Sequence, residues 1–371
     1  MKILFINTAY YPEIIGGTEI SLQKLAEGLA KNNEVMVICK SDKEQEEIIH
    51  GVIVHRVKVE FDSKMQRIIK ELYNAQLLNQ IISIVDNFKP DIVNTNNIYP
   101  FTPAIWSVLY KKKIPIIHTI RDYYLLGSKF GIKNYYFRLC TKYVRAVTAA
   151  SKYTLEEHIK NGYFYRSRCK RVIPNAIEID EERFVRIRET RKNNNDNHIV
   201  FAFIGRLEQE KGIKFLIEAY ENNENDSELR IFGKGYLQSY VEDISRKNNN
   251  IKYMGFLGQK ELQSELENVD VVIVPTMSTF QEPFGRVVLD AYVNCIPVIV
   301  SSVGGLKDLV ENGKTGRIYE ADNFVSLRSQ INYFSNREII HSTYKSISET
   351  VQKYNIDNQI DDFIKLYSEY I

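Results

Sequence analysis

The sequence is poor in the features that cross-link a protein, hold metal ions in it or anchor it in a membrane. It has four cysteines in 371 residues, with no CxxC pair and no cluster of cysteine with histidine. This scatter argues against a zinc site or a disulfide framework and favours a reducing compartment. No apolar run reaches the roughly 18 residues of a membrane-spanning helix, and the run at residues 2–7 is too short for a secretion signal. We expect a cytoplasmic chain that does not cross a membrane.

Net charge is also nearly absent, at +2, but the two halves differ in sign. Residues 1–180 hold 26 Lys and Arg against 18 Asp and Glu, whereas residues 181–371 hold 23 against 29. A length of 371 residues fits two domains. The halves therefore suggest two domains with different partners.

Short apolar runs alternate with helical patterns along both halves, which predicts an α/β fold with mostly parallel sheets. We expect two Rossmann-like doubly wound domains, residues 1–180 and 181–354, facing a cleft where ligands bind. A helix at about 355–371 is expected to pack back on the first domain. Residues 65–88 predict one long helix, Thr18 is a candidate helix cap, and the polar residues 181–198 predict a linker or loop.

Two glycine-containing turns of the second half follow predicted strands. The turn Gly205-Arg-Leu-Glu-Gln-Glu-Lys-Gly212 supplies Arg206 and Lys211, two cations that suit a diphosphate. The alternative is a surface loop with a solvated ion pair. The turn Phe232-Gly-Lys-Gly235 lets the backbone approach a ligand closely, although an ordinary turn also explains it.

The segment from Pro275 to Asp290 carries the strongest signal. A predicted strand ends at Pro275, and Glu282-Pro-Phe-Gly285 then leads into a predicted helix. Amide groups at a helix start favour an anion, and Glu282 stands where it could accept a hydroxyl group of a sugar. The alternative is that Glu282 is only an acid near the helix N-terminus.

These motifs together resemble the retaining glycosyltransferases of glycosyltransferase family 4, which have the GT-B fold. The resemblance covers about residues 199–320 and extends weakly into the first half. The matching segments are Ile204-Gly-Arg-Leu, Lys211-Gly, Phe232-Gly-Lys-Gly, Met254-Gly-Phe-Leu, Glu282-Pro-Phe-Gly, Asp290-Ala, Pro297-Val-Ile-Val-Ser-Ser-Val-Gly-Gly305, Gly16-Gly-Thr-Glu19 and Ile173-Pro-Asn-Ala176.

The resemblance implies a role for each matching residue. Arg206, Lys211 and Glu282 would be catalytic: the two cations would bind the donor diphosphate and stabilise the leaving group, and Glu282 would contact the donor sugar. Asp290 would hold the ribose. The remaining donor-side residues would be Gly16, Gly17, Gly233, Phe256, Leu257, Phe284, Gly285, Arg286 and Val287. Arg121, Asp122 and Asn175 would lie on the acceptor or sugar side.

Two positions depart from the family pattern. The family has Glu, seven residues, Glu, whereas here the second acid is Asp290, which reaches one methylene less. The family often has His-Asp where this chain has Arg121-Asp122. We interpret His118, three residues earlier, as a partly buried strand residue rather than a substitute. Our hypothesis is that Arg121 pairs with a carboxylate on the donor or acceptor.

No Asp-x-Asp pair occurs in a strand-end loop, and the basic turns offer cations instead. We therefore expect no metal and no cofactor besides the nucleotide-sugar substrate, for which a UDP-sugar is the family's commonest choice. The family implies retention of configuration. Because the sequence offers no obvious carboxylate nucleophile, a front-face mechanism with the leaving phosphate as base is favoured.

The first half contains a basic, aromatic segment. Residues 111–171 hold 15 Lys and Arg against 3 Asp and Glu, with tyrosine and phenylalanine interleaved. This pattern suits an anionic membrane surface or a lipid pyrophosphate. It also fits solvated faces with core rings, and RNA is disfavoured because no nucleic-acid-binding module is recognisable.

The leading hypothesis is a transferase that extends a bacterial surface glycan, a capsule or O-antigen, on a lipid carrier at the inner face of the plasma membrane. A second hypothesis is a non-catalytic relative that binds a nucleotide sugar and stabilises a partner glycosyltransferase. A third is a sugar-nucleotide epimerase of similar fold. Release of free nucleoside diphosphate distinguishes the transferase from the epimerase.

Overall fold

The structure is a computed structural model that describes residues 1–13, 16–61, 63–127, 131–221 and 226–371, apart from the side chains of Lys64 and Ile132. It divides into two compact units. The first unit comprises Met1–Ala176 and Ile356–Ile371, and the second comprises Ile177–Asn355.

Fourteen strands are found in the described residues. In chain order they are β1 (Lys2–Asn7), β2 (Glu34–Ser41), β3 (Gln45–Ile49), β4 (Val52–Lys58), β5 (Ile92–Thr95), β6 (Ile116–Ile120), β7 (Ala146–Ala149), β8 (Cys169–Val172), β9 (Ile199–Ile204), β10 (Ser227–Phe232), β11 (Ile251–Gly255), β12 (Val271–Val274), β13 (Val298–Ser301) and β14 (Gly316–Tyr319).

Fifteen α-helices accompany these strands in the same part of the chain. They are α1 (Gly17–Ala30), α2 (Lys64–Leu72), α3 (Ala75–Phe88), α4 (Ala104–Lys111), α5 (Ile132–Cys140), α6 (Lys152–Lys160), α7 (Glu181–Lys192), α8 (Ile213–Glu221), α9 (Gln238–Lys247), α10 (Gln259–Leu266), α11 (Arg286–Tyr292), α12 (Leu306–Leu309), α13 (Phe324–Tyr333), α14 (Arg337–Val351) and α15 (Ile356–Ser368). None of the helices described is long and apolar enough to cross a membrane.

The first unit is built on an eight-stranded sheet of order β3-β4-β2-β1-β5-β6-β7-β8. Every neighbouring pair is parallel except β3 with β4, a hairpin that the alternation of strands and helices did not predict. The central strands read as continuous apolar runs because helices cover both faces of a parallel sheet. Phe5, Ile38 and Val93 are fully buried in this way.

The second unit is built on a six-stranded, all-parallel sheet of order β11-β10-β9-β12-β13-β14. In the first unit the chain reverses its direction of progress across the sheet between β1 and β5, and in the second between β9 and β12. In doubly wound sheets, such switch points open a crevice at the carboxyl ends of the strands, where ligands bind. The predicted α/β fold with two Rossmann-like domains is confirmed.

The terminal helix α15 belongs to the first unit, where it packs on α1. Phe363, Leu366 and Tyr367 are fully buried in the same apolar cluster as Leu22 and Leu25 of α1. A side chain at Gly28 would overlap Ile360, so a glycine lets the two helices approach closely.

The prediction of a loop at residues 181–198 is wrong, because residues 181–192 form α7. The Asp180 carboxylate caps the helix by accepting from the Arg183 amide at 3.0 Å. Phe184 and Ile187 are buried, and the Arg191 guanidinium donates to the Leu266 carbonyl oxygen at 2.7 Å. The sequence looks polar because only one narrow face of α7 is apolar and a buried arginine extends it.

The single helix predicted at 65–88 is also wrong, because the chain breaks between α2 and α3. Tyr73 is extended, and the Asn74 side chain accepts from the Leu77 amide at 3.2 Å, which starts α3. Asparagine is among the best helix caps. Thr18 is not a cap either, since α1 begins at Gly17 after Gly16.

Candidate functional site

The loops after β9 and β12 are adjacent at the switch point of the second unit. The Met277 amide donates to the Glu210 carbonyl oxygen at 3.0 Å, which joins the two loops. Gly212 has φ +75°, and a Cβ there would overlap the Pro275 carbonyl oxygen. Only glycine accepts both constraints without strain. The residue before it, Lys211, is therefore held beside the β12 loop.

Lys211 and Glu282 meet at this switch point. Lys211 Nζ lies 2.5 Å from Glu282 Oε2, and the two side chains are 18% and 14% exposed. The ammonium also lies 4.6 Å from the ring centre of Phe280, and Thr276 Oγ1 donates to Glu282 at 3.5 Å. A desolvated ion pair contributes little net stability, and this pair lies at a strand edge, which makes it a candidate functional site.

The backbone of Glu282 is fixed by the loop after β13. The Gly305 amide donates to the Glu282 carbonyl oxygen at 2.7 Å. Gly304 has φ +55°, and a Cβ at this position would overlap the same carbonyl. The end of the Pro297–Gly305 motif thus holds the Glu282 backbone in position. Glu282 is not the N-cap of the helix that follows, which is Gly285, and its carboxylate pairs with Lys211.

The helix that follows is α11, whose start places four of the predicted donor-side residues. Phe284 is buried and Gly285 immediately precedes the helix, while Arg286 and Val287 are its half-buried first residues. The Val288 amide already donates to the Gly285 carbonyl oxygen at 3.0 Å. That amide is therefore engaged within the helix and is not free to bind an anion.

Arg206 lies nearby but is not part of the Lys211–Glu282 pair. Its guanidinium forms an ion pair with Glu208 and lies 3.8 Å from Glu210. The side chain is 54% exposed. These two acids lie between the predicted cations in the sequence, and the motif gave no reason to assign them a role.

The loops after β10 and β11 add the other predicted donor residues. The Gly233 amide donates to the Gly255 carbonyl oxygen at 2.8 Å, which ties these two loops together. Phe256 is 63% exposed, and Lys234 Nζ lies 4.3 Å from the centre of its ring. Leu257, next to it, is half-buried. An exposed aromatic ring beside a cation provides a flat surface on which a base can stack.

Asp290 is buried on α11, one turn beyond its start. Its Oδ1 accepts from Gln259 Nε2 at 3.0 Å and from Gln263 Nε2 at 3.4 Å, both on α10. Its Oδ2 lies 3.9 Å from Arg286 Nε. Burial raises the pKa of this carboxyl, and the Arg286 charge opposes the rise. The sequence analysis did not identify the two glutamines as site residues, because their only signal is a spacing of four residues, about one helical turn, on α10.

Arg121 stands at the carboxyl end of β6 in the first unit and is buried. Its Nε donates to Asn96 Oδ1 at 2.7 Å and its Nη1 donates to Asn175 Oδ1. Within the described residues Nη2 has no hydrogen-bond partner. Burial lowers the pKa of the guanidinium to about 10, so it remains charged at neutral pH. A buried cation bonded to two neutral amides is a ready site for an anion.

Two acids lie near Arg121 without a direct bond to it. Glu19 is buried and accepts from the Gly16 amide at 2.9 Å, which brings the Gly16-Gly17 turn into this edge. Burial raises the pKa of Glu19, and the charge of Arg121 opposes that rise. Burial also raises the pKa of Asp122 to about 6, against a bond from the Tyr124 amide.

His118 lies on β6 and is more deeply buried than the sequence suggested. Its Nδ1 is 2.9 Å from Thr95 Oγ1, and its ring stacks on Phe164. Burial lowers its pKa to about 3, so the ring is neutral at physiological pH. It packs inside the sheet and does not replace Arg121 at the edge.

The structure thus brings some of the predicted residues into direct contact in each unit. The second unit joins Lys211 with Glu282 and places Arg206 in the same loop, and the first unit joins Arg121 with Asn175. The sequence analysis assigned no role to four residues near these pairs, because their contacts come from neighbours in space that no local pattern shows. These residues are Glu19, Asn96, Thr276 and Phe280. In the described part of the chain, no three His, Cys, Asp or Glu side chains form a group that could hold a metal ion.

Comparison with protein families assigns both units. Residues 15–181 match the family model described as Glycosyltransferase Family 4, and residues 185–354 match the model described as Glycosyl transferases group 1. The chain belongs to glycosyltransferase family 4. In this glycosyltransferase the first matched segment lies in the first unit apart from residues 177–181, and the second lies within the second unit.

Curated relatives match this glycosyltransferase over most of its length. A 42.6 kDa protein of the cps region of Klebsiella pneumoniae is 28% identical, covering 99% of this chain and 100% of that one. The capsular polysaccharide biosynthesis glycosyltransferase CapM of Staphylococcus aureus is 23% identical, covering 85% and 84%.

Solved structures show the same fold. HepE from Anabaena in complex with UDP superposes with a TM-score of 0.74 at 20% identity, covering 100% of both chains. The same protein with UDP-glucose gives a TM-score of 0.69, again at 20% identity and full coverage. The fold of this glycosyltransferase is GT-B, as predicted.

Proposed function

We propose that this glycosyltransferase moves a sugar from a UDP-sugar to a glycan acceptor, with retention of configuration, during synthesis of a bacterial surface polysaccharide. The Lys211–Glu282 pair at the β9–β12 switch point carries the proposal, because it sets a fixed cation and a fixed acceptor oxygen side by side at a ligand-binding edge. The similarity to a cps-region protein and to a capsule glycosyltransferase supports the polysaccharide class.

The donor lies along the carboxyl edge of the second unit. Lys211 and Arg206 neutralise its diphosphate, which is the site of growing negative charge as the sugar leaves. The Glu282 carboxylate accepts a hydrogen bond from a hydroxyl group of the donor sugar, while Gly304 and Gly305 hold the Glu282 backbone in place. Phe256 offers a face to the base, and Asp290 binds the ribose. The UDP and UDP-glucose complexes of HepE support a uridine donor.

The transfer proceeds on one face of the sugar. The acceptor hydroxyl oxygen bonds to the anomeric carbon as the bond from that carbon to the phosphate oxygen breaks. The leaving phosphate takes the acceptor proton, so the products are the extended glycan and UDP. Lys211 stabilises the charge that develops on the leaving group, as a fixed cation does in a desolvated site.

The experiment measures release of nucleoside diphosphate from UDP-, GDP-, ADP- and dTDP-sugars, with and without lipid-linked acceptor sugars. Wild type is compared with Glu282→Ala and with Glu218→Ala, an exposed glutamate of α8. Release that is selective for a UDP-sugar and needs Glu282 but not Glu218 is the expected result. Proton NMR of the first product then shows whether its anomeric configuration equals that of the donor.

A different pattern would contradict the proposal. Isomerised donor without free diphosphate would mean an epimerase. Donor binding without release from any sugar, with every acceptor, would mean a non-catalytic relative.

Metal removal is expected to leave the reaction intact. Because Arg206 and Lys211 supply the charge that a divalent ion supplies elsewhere, EDTA changes the release rate by less than about twofold. The check is the initial rate in EDTA against that in magnesium, with a magnesium-dependent transferase as the control. Loss of activity in EDTA that magnesium restores would show a metal requirement.

The Arg121 guanidinium is expected to bind a carboxylate on the donor or acceptor sugar. Its unpaired Nη2 would otherwise remain a buried donor without an acceptor. Replacing it by histidine lowers kcat/KM for the carboxylate-bearing substrate about 100-fold, because one partner of a buried charged bond is lost. Arg166→His, an exposed arginine of the same unit, is the control. A neutral hexose donor used at the full rate by Arg121→His would contradict the hypothesis.

A further inference from the structure

Helix α2 turns its apolar side chains towards solvent. Met65, Ile68 and Ile69 are 70%, 46% and 58% exposed. Their spacing of three and four residues places them on one face of the helix. Surface helices of globular proteins normally bury such a face against the core. In α2 the arrangement is inverted.

The face that α2 buries includes Leu72, which packs against the core, and a charged residue. Glu71 is buried, and its carboxylate accepts from Arg67 Nε at 3.2 Å. The other carboxylate oxygen lies 2.5 Å from Lys133 Nζ on the neighbouring helix α5. A half-turn rotation that hid the isoleucines would break this buried ion pair and leave Glu71 without its partners. The exposed apolar face is therefore held in place by the fold.

The surroundings of this face are basic and aromatic. The sequence of α2 carries Lys64, Arg67 and Lys70 against the single acid Glu71, and α5 adds further cations. Tyr73, which follows α2, is 59% exposed, and Tyr135 and Leu139 of α5, the helix that packs on α2, are 62% and 39% exposed. Apolar side chains flanked by cations and tyrosines match the interface of a bilayer that carries anionic lipids. That match in charge selects a membrane as the occupant.

The same helix lies near the carboxyl end of β6 in the first unit, where Arg121 stands. Lys133, which pairs with Glu71, lies 4.7 Å from the ring centre of Tyr124. The Tyr124 amide donates to Asp122 Oδ1 at 3.0 Å, and Asp122 follows Arg121 at the end of β6. Only a few side chains therefore separate α2 from the edge where Arg121 stands.

We propose that the exposed face of α2, together with Tyr73, Tyr135 and Leu139, is a membrane-docking surface. This surface lies in the headgroup layer of an anionic bilayer and sets the Arg121 edge beside a lipid-linked acceptor. The statement about the acceptor rests on the proposed function, whereas the statement about membrane binding does not. The basic segment at residues 111–171 contributes α5 to this surface, and its residues 128–130 lie outside the described residues.

The test measures co-sedimentation of the full chain with phosphatidylcholine vesicles containing about 30% phosphatidylglycerol, and with pure phosphatidylcholine vesicles. Wild type is expected to bind the anionic vesicles, less so as salt rises. The double variant Ile68→Glu/Ile69→Glu is expected to bind at least about tenfold more weakly. Ile48→Glu is the control, because Ile48 is 75% exposed on β3 of the same unit. This variant should bind vesicles like wild type.

A fluorescent probe checks that α2 itself enters the bilayer. The chain has a single tryptophan, Trp106, which is fully buried and gives a constant background. The emission of Met65→Trp is expected to shift to shorter wavelength with anionic vesicles, while that of Ile48→Trp does not. Equal vesicle binding by wild type and the double variant would overturn the proposal. So would a change in oligomeric state of the double variant without lipid, since a second copy would then cover α2.

Activity separates this proposal from the proposed function. The double variant is expected to release UDP at the wild-type rate with a soluble acceptor and more slowly with an acceptor embedded in vesicles. Loss of vesicle binding with no transfer by any variant would support docking and contradict only the transferase assignment. Normal transfer with no binding of wild type to vesicles would support the transferase assignment and contradict only the docking proposal.

Discussion

Lys211→Ala is expected to lower kcat for release of nucleoside diphosphate about 100- to 1,000-fold, the usual effect of removing one preorganised group that stabilises transition-state charge. The ammonium lies 2.5 Å from Glu282 in a site that is mostly hidden from water. Its attraction for the leaving diphosphate is therefore weakly screened. The fall is expected mainly in kcat, because negative charge grows on the leaving group as the bond breaks.

The control for Lys211 is Lys214→Ala, one turn along on α8. Lys214 is exposed and lies over the ring of Tyr240, so its loss leaves kcat unchanged. Because Lys211→Ala also strips Glu282 of its ion-pair partner, Lys211→Met, which keeps most of the bulk of the side chain, and the urea unfolding of both variants serve as a second control for local damage. Steady-state release rates measure the effect. If Lys211→Ala keeps more than about a tenth of the wild-type kcat, its role on the leaving group is wrong.

Arg337→Met destabilises the second unit by about 3–5 kcal/mol, as expected when a buried ion pair loses one partner. Its Nη1 pairs with Asp270 Oδ1, and its Nη2 lies 3.2 Å from Asp270 Oδ2. Both side chains are less than 10% exposed. The guanidinium also binds the carbonyl oxygens of Asp196 and His198 at 2.8 Å and 2.7 Å, so its loss frees the segment that enters β9.

Urea unfolding measures this effect, with Arg246→Met as the matched control. Arg246 pairs with Asp243 one turn away, but its side chain is 72% exposed, so its loss changes stability by less than about 1 kcal/mol. Replacing both members of the buried pair, Arg337→Met/Asp270→Leu, should recover much of the loss because no lone charge is then buried. A loss below about 1 kcal/mol for Arg337→Met would show that the pair is solvated.

The sequence predicted the alternation of strands and helices and the order of the motifs, because continuous apolar runs and the turns between them are local signals, but it missed the short strands β3, β8 and β14. It failed at α7, where an acidic cap and a buried arginine hide the helix, and at the break between α2 and α3, where Asn74 caps a second helix. The break before α3 depends on a local cap, the bond from the Leu77 amide to Asn74, whereas α7 is also held by Arg191, whose partner Leu266 lies elsewhere in the chain. Periodicity cannot show such partners.

For the site, the sequence identified Lys211 and Glu282 separately, through strand-end turns and a resemblance to a family. It did not show that the two form an ion pair across 71 positions, or that Thr276 and Phe280 surround it. Likewise, it placed Arg121 at a strand end, but not its bonds to Asn96 and Asn175.

By itself, the sequence determined the α/β class, the two-unit organisation and the glycosyltransferase family, since these depend on short-range patterns of apolar residues, glycines and charges. Only the tertiary structure decided which side chains meet and which face of each helix is buried. Glu71 shows why: its contacts with Arg67 and Lys133 orient α2 and leave Ile68 and Ile69 in solvent. The direction in which an amphipathic helix faces depends on neighbours from distant parts of the chain, and no local pattern specifies them.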